Sequence, residues 1–245
     1  MKFASYRYNQ NDKPRFGFKR DKYIFDVIKC ANWLNEKKGD AIFLDIPSSL
    51  KECLKNWSIN FELLNKLDGI ITDEDIIEAS KIDKPIANLE SDLELLAPVP
   101  NPQSFRDFYA FEQHVRSARK LRGLEMHPDW FKIPIFYFSN SVALFGHREK
   151  INYPIGTNEL DFELEFAVIL ADGGTNISSE SATDYIAGYT ICNDWSARDL
   201  QREEMAMNLG PAKGKDFATS FGPYMVTPDE LETCLLYTSD AADEY

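Results

Sequence analysis

The sequence predicts a mixed α+β protein, a small α+β unit followed by a β-rich mixed roll. Period-two alternation opens the chain and returns past its midpoint, helical periodicity fills the stretch between, and strands and helices follow one another without a regular βαβ repeat. Phe3-Ala4-Ser5-Tyr6-Arg7-Tyr8 and Arg15-Phe16-Gly17-Phe18-Lys19 alternate around the turn-forming Asn9 to Pro14, the pattern of a β-hairpin. Tyr23 to Val27 reads as a third strand. Helical text then runs to Ser91. Cys30, Trp33 and Leu34 share one face, Phe61, Leu63, Leu64 and Leu67 mark a second helix, and Thr72 with Asp75 has the form of a capping box opening a third. Pro98, Pro100 and Pro102 at alternate positions force an extended segment, so 96–105 reads as a linker between a first domain, 1–95, and a second, 106–233. The second domain is expected to hold a helix from Phe111 to Leu121, strands at Ile133 to Phe138, Asp161 to Leu170 and Ala187 to Cys192, and a helix from Ser196 to about Met207.

Composition excludes several classes. Forty acidic residues against 27 Lys and Arg leave a net charge of −13, which phosphate backbones repel, so nucleic acid is not an expected partner. The longest apolar stretches fall far short of the ~20 residues a membrane helix needs, and the N-terminus has no secretory pattern; a cytoplasmic protein without a membrane partner is expected. Cys30, Cys53, Cys192 and Cys234 are scattered without a C-x-x-C pair, which argues against both a disulfide frame and a zinc site.

Four segments can carry chemistry. On a single strand, Leu160 to Phe166 would send Asp161, Glu163 and Glu165 to one face about 7 Å apart. Magnesium or calcium would relieve the repulsion of such a row, and the solvated face of an exposed strand fits the same pattern. Asn193 to Gln201 follows a β-like run and opens a helix, which places Asp194 at or near the N-cap and Arg198 and Gln201 a turn further on; a capped helix with an Asp194–Arg198 ion pair is the plain alternative. Gly210 to Asp216 has three residues between its glycines and Asp after Lys215, so it is not a nucleotide-binding P-loop. It remains a turn that presents Lys215 to an anion, or a surface loop. His114 follows Asp107-Phe108-Tyr109 near a helix start; an imidazole titrates near ~6.5 and suits a general base, and a structural histidine fits the same place.

These segments occur in one order, and with the string Asn-Asp-Trp-Ser-Ala-Arg-Asp at 193–199 they resemble the fumarylacetoacetate hydrolase family from about Pro98 to Pro228. The resemblance implies a β-rich roll in which Asp107, Glu163, Glu165 and Asp194 hold magnesium or calcium, with Thr219 near the cation. It implies His114 as the base that activates water and Arg198 and Lys215 as the cations that stabilise a developing carbanion. Tyr109, Arg122, Tyr137 and Gln201 then surround the substrate. The implied activity is hydrolysis of a carbon–carbon bond in a small 1,3-diketo acid of the fumarylacetoacetate or acylpyruvate type, in aromatic or amino-acid catabolism, by a homodimer. A 2-oxo acid decarboxylase, isomerase or tautomerase on the same scaffold is the enzyme alternative, and a non-catalytic metal-binding protein is the other. The family carries further strands beyond this point, so the resemblance also implies a shortened chain. Cys234 to Glu244 resembles a translated sequencing adaptor, which makes 234–245 a tail foreign to the fold.

Overall fold

The computed structural model describes residues 1–39 and 43–231; the expected foreign tail lies outside the described residues. Strands β1 (Lys2–Arg7), β2 (Arg15–Arg20) and β3 (Tyr23–Asp26) form the meander that the alternation predicts. Phe3 stands opposite Phe18, and Phe18 opposite Phe25, so one aromatic row crosses all three strands. Helices α1 (Val27–Lys38), α2 (Leu50–Cys53), α3 (Trp57–Ile70) and α4 (Asp73–Lys81) pack onto that row, with Cys30, Leu34, Leu50, Leu64 and Leu67 buried against it. Both arms of the predicted Thr72–Asp75 capping box are formed at the start of α4. Two short strands follow: β4 (Ala87–Leu89) pairs with β3, and β5 (Glu94–Leu95) pairs with β1.

The rest of the chain adds β6 (Arg106–Phe108), α5 (Glu112–Leu121), β7 (Phe136–Phe138), β8 (Leu144–Phe145), β9 (Leu160–Asp161) and β10 (Leu164–Leu170). It continues with β11 (Ile186–Asp194), β12 (Ser196–Ala197), α6 (Arg198–Met205), α7 (Ala212–Lys215), β13 (Thr219–Phe221) and β14 (Met225–Val226). The main sheet runs β4-β3-β2-β1-β14-β11-β13-β8, with β10 on β11 and β5 on β1. β13 and β8 are parallel and the other pairs antiparallel, which gives the mixed α+β fold expected. β14 is the joint: Val226 faces Lys2 on one side and Tyr189 on the other. Only a glycine permits that approach at 188, since a Cβ there would lie 2.6 Å from Met225 Cγ and 2.7 Å from the Val226 carbonyl oxygen.

Three elements differ from expectation. The strand expected over 161–170 is broken at 162–163, because the Glu163 N–H donates to the Asn193 side chain at 3.0 Å and the Asp194 N–H donates to the Glu163 carbonyl at 2.9 Å. The strand expected from Ile133 starts only at Phe136, after Pro134, which lacks the N–H a ladder needs. The helix expected from Ser196 begins at Arg198, because Ser196 and Ala197 are spent on pairing with Asp161 and Leu160.

Asp26 closes the first unit. It is buried, accepts from the Tyr6 hydroxyl at 2.5 Å and from the Arg15 guanidinium, and caps α1 through the Lys29 N–H at 2.8 Å. Asp26→Ala is expected to destabilise the protein by roughly 2–4 kcal/mol in urea unfolding, the sum of a lost N-cap and an orphaned buried hydroxyl. A loss below about 1 kcal/mol would show that water replaces both partners.

Candidate active site

The floor of the site is the end of the β10–β11–β13 ladder. Glu165 on β10 stands opposite Cys192 on β11, and Asp194, the last residue of β11, stands opposite Thr219 on β13. Asp107 arrives from a separate two-stranded ribbon, where it faces Tyr137 across β6 and β7. Asp107, Glu165 and Asp194 each place one carboxylate oxygen within 4.8 Å of the others. The Tyr137 hydroxyl lies 3.1 Å from Asp107 Oδ2 and also against Asp194 Oδ2. A phenol carries one hydrogen, so it donates to one carboxylate at a time, and a second hydrogen bond requires a proton on the other.

Two cations face this cluster. Lys215, 3% exposed, sets its Nζ 2.5 Å from Glu163 Oε2 and 2.9 Å from Asp194 Oδ2. It stands at the end of α7, whose Gly214 and Lys213 N–H groups donate to the Glu204 carboxylate at 2.6 and 2.7 Å. Gly214 makes the fit possible, because a Cβ there would lie 2.7 Å from Gln201 Cβ and 2.9 Å from its Cα. Arg198, the first residue of α6, grips Asp161 through two nitrogens at 2.8 and 2.9 Å, reaches Glu163 with a third, and donates to Gln201 Oε1 at 3.2 Å.

The remaining sequence-derived residues lie around the same place. Tyr109, His114, Arg122, Tyr137, Gln201, Arg198 and Lys215 all line an open cleft of about 2380 Å³, together with Asp107, Glu163 and Glu165. Asp194 and Thr219 are buried, 0% and 1% exposed, with the Thr219 hydroxyl 3.5 Å from Asp194 Oδ1. His114 sits exposed in the first turn of α5, edge-on to Tyr109 at 6.2 Å between ring centres, and Arg122 caps the other end of that helix. Two local expectations are corrected. Asp194 is not a helix cap but a strand terminus, and its ion-pair partner is Lys215 rather than Arg198, because β11 runs on through Asp194 before the chain turns. Leu160 to Phe166 is not one continuous strand: it is broken at 162–163, and Asp161 becomes a partner of the same Arg198 guanidinium that reaches Glu163, a role hidden when the segment is taken as one strand.

Residues 103–240 match the family described as fumarylacetoacetate (FAA) hydrolase C-terminal, more than half of the chain. The chain belongs to the fumarylacetoacetate hydrolase family. The fumarylacetoacetase of Arabidopsis thaliana is 32% identical over 190 residues, which is 69% of this chain and 44% of that protein. The oxaloacetate tautomerase YisK of Bacillus subtilis is 32% identical over 143 residues, 58% of this chain and 46% of that protein. The chain thus matches less than half the length of either relative. The solved fumarylacetoacetate hydrolase from Exiguobacterium antarcticum shares the fold with a TM-score of 0.60 at 24% identity, covering 94% of this chain and 67% of that one.

In this family member the carboxylates are tuned in opposite directions. Burial alone would raise Glu163, but the ammonium of Lys215 and then the guanidinium of Arg198 outweigh it and hold Glu163 below the usual carboxylate range. Glu165 is pushed up to about 8, by burial first and then by the charges of Asp107, Asp194 and Glu163. Asp107 is pushed up to about 6 by burial and then by Asp194. Tyr137 is raised by burial and by the same two aspartates, so it stays a neutral donor.

Raised folded-state values mean that the folded protein holds extra protons. The stability that Glu165 and Asp107 contribute is complete below their unfolded values near ~4 and is lost as the pH rises through about 6 and about 8. The melting temperature of the metal-free protein should therefore fall between about pH 5 and 8.5, and Glu165→Gln should flatten the upper part of that fall. A variant whose melting curve keeps the same pH slope as the parent would overturn the assignment.

Proposed function

We propose that the chain supplies the centre of a metal-dependent hydrolase that cleaves a carbon–carbon bond in a 1,3-diketo acid of the fumarylacetoacetate or acylpyruvate type. The observation that carries this reading is the convergence of Asp107, Glu165 and Asp194 beneath a cleft whose walls hold His114, Tyr109 and Arg122. The donors fit a hard divalent cation. They are all carboxylate oxygens, and Lys215 compensates Glu163 and Asp194 while Glu165 remains under the repulsion of its neighbours. Asp107, Glu165 and Asp194, with Glu163 beside them and Thr219 beneath, would hold magnesium or calcium. Such a cation, when bound, polarises the carbonyl that is attacked.

The chain's own residues supply the rest. His114 on the cleft wall takes the proton of the attacking water. Lys215 and Arg198 offset the negative charge that develops on the departing enolate carbon and oxygen. Tyr109, Tyr137, Gln201 and Arg122 orient the substrate, Arg122 as the exposed cation for a terminal carboxylate. In this reading the enzyme works in the cytoplasm as a homodimer, in aromatic or amino-acid catabolism. A second reading, tautomerisation, isomerisation or decarboxylation of a 2-oxo acid, is favoured by the similarity to the Bacillus tautomerase, since an enolate is common to all these reactions.

Titration calorimetry with magnesium is expected to show at least ~100-fold weaker binding for Glu165→Gln and Asp107→Asn than for the parent, at pH 8.5 with circular dichroism unchanged. Equal affinity would sink the metal assignment. In a full-length version, with acylpyruvate as substrate, His114→Ala should lower kcat by about 10² to 10⁴ while KM changes far less. Mass analysis of the products separates the readings: two fragments mark hydrolysis, one isomeric product marks tautomerisation or isomerisation, and release of carbon dioxide marks decarboxylation.

A further inference from the structure

Arg198 owes its position to residues outside the cleft. Helix α6 begins without a side-chain cap at Ala197. The segment just before β9 is docked on that helix start instead. Thr157, 6% exposed, donates its hydroxyl to Asp199 Oδ1, and the Asn158 N–H donates to Asp199 Oδ2 at 2.8 Å. The Arg198 N–H donates to the Glu159 carbonyl at 2.9 Å, and the Glu159 carboxylate takes two bonds from Arg202 at 2.7 and 2.8 Å. The same strip of chain runs on into Asp161, the two-pronged partner of the Arg198 guanidinium. This docked strip therefore fixes both ends of the Asp161–Arg198 pair, and with it the third nitrogen that Arg198 extends to Glu163.

We propose that Thr157 and Asp199 form a latch that positions Arg198 for the reaction. Neither is a catalytic residue, since Thr157 is buried away from the cleft and Asp199 spends its carboxylate on Thr157, Asn158 and the Leu200 N–H at 2.9 Å. The backbone N–H of Asn158 and then the Thr157 hydroxyl hold Asp199 below the usual carboxylate range, so the latch stays charged at neutral pH. A buried hydroxyl that holds a helix start fixes the angle of the first side chain of that helix, and a guanidinium that binds a developing anion loses most of its effect when its orientation is loose. The kinetic part of this inference rests on the hydrolase reading; the positional part does not.

The test separates the two. In the 245-residue chain, phenylglyoxal modification of Arg198 is followed by peptide mass mapping, with the exposed Arg116 as internal control. Thr157→Val, which keeps the shape and removes the donor, should speed modification of Arg198 about fivefold, the size of one lost net hydrogen bond, with Arg116 unchanged. Thr157→Ser, which keeps the donor, should restore the parent rate. Asp199→Asn reads the same contact from the other side and decides the matter if Thr157→Val fails to fold. In a full-length version acting on acylpyruvate, Thr157→Val should lower kcat about tenfold with KM within about twofold. Equal Arg198 reactivity in parent and variant overturns the latch, and faster modification with unchanged kcat reduces it to a structural contact and overturns its role in the reaction. A full-length version without turnover sinks the hydrolase reading, while the modification rates in the 245-residue chain still decide whether the latch exists.

Discussion

The ion pair of Lys215 with Asp194 and Glu163 is the constraint on which the site depends. Four carboxylates, Asp107, Glu163, Glu165 and Asp194, meet at the end of one ladder, and Asp194 is wholly buried there. Burial of unpaired charge at such density is prohibitive unless cations share the space. Lys215 meets that need from below the surface and Arg198 from its edge, and the backbone is arranged around them. α7 is anchored by Glu204 and packed so closely against α6 that Gly214 admits no side chain, and this brings the ammonium to its place.

The division of charge follows from those two cations. Glu163 and Glu165 are two residues apart, yet Glu163 touches both Lys215 and Arg198, while Glu165 faces Asp107, Asp194 and Glu163. One carboxylate is held ionised and the other is held close to neutral pH. A centre built this way has an anionic half that is already compensated and a half with an unmet demand for positive charge, which accounts for its fit to a divalent cation.

The first ninety-five residues reach this centre through the sheet. Met225 and Val226 pair with Phe3 and Lys2 on one edge, and Val226 pairs with Tyr189 on the other, so the aromatic core over β1, β2 and β3 continues into the strand that ends at Asp194. Ala187 and Met225 belong to that core alongside Phe3 and Phe18. The Asp194 end of β11 is thereby stiffened by packing some distance from the carboxylate cluster.

Local chemistry was enough for the sequence to determine the hairpin, the capping box at Thr72 and the helix ending at Leu121, because alternation, a cap residue and helical spacing act over a few residues. The identities of the chemical groups were legible too, through the strings around Asp107, Glu163 and Asp194. Tertiary structure alone decided which groups meet. Asp161 looked equivalent to Glu163 and Glu165, but the Asn193 side chain captures the Glu163 N–H, breaks the strand and hands Asp161 to Arg198. Asp194 looked like a helix cap, but pairing of Ser196 with Asp161 delays the helix and leaves Asp194 on a strand facing Thr219. Asp107 joins Glu165 and Asp194 only through the β6–β7 ribbon and the Tyr137 hydroxyl. Each of these outcomes is a contact between segments twenty-five or more residues apart, and a hydrogen bond or ion pair of that kind leaves no periodic trace in the chain that makes it.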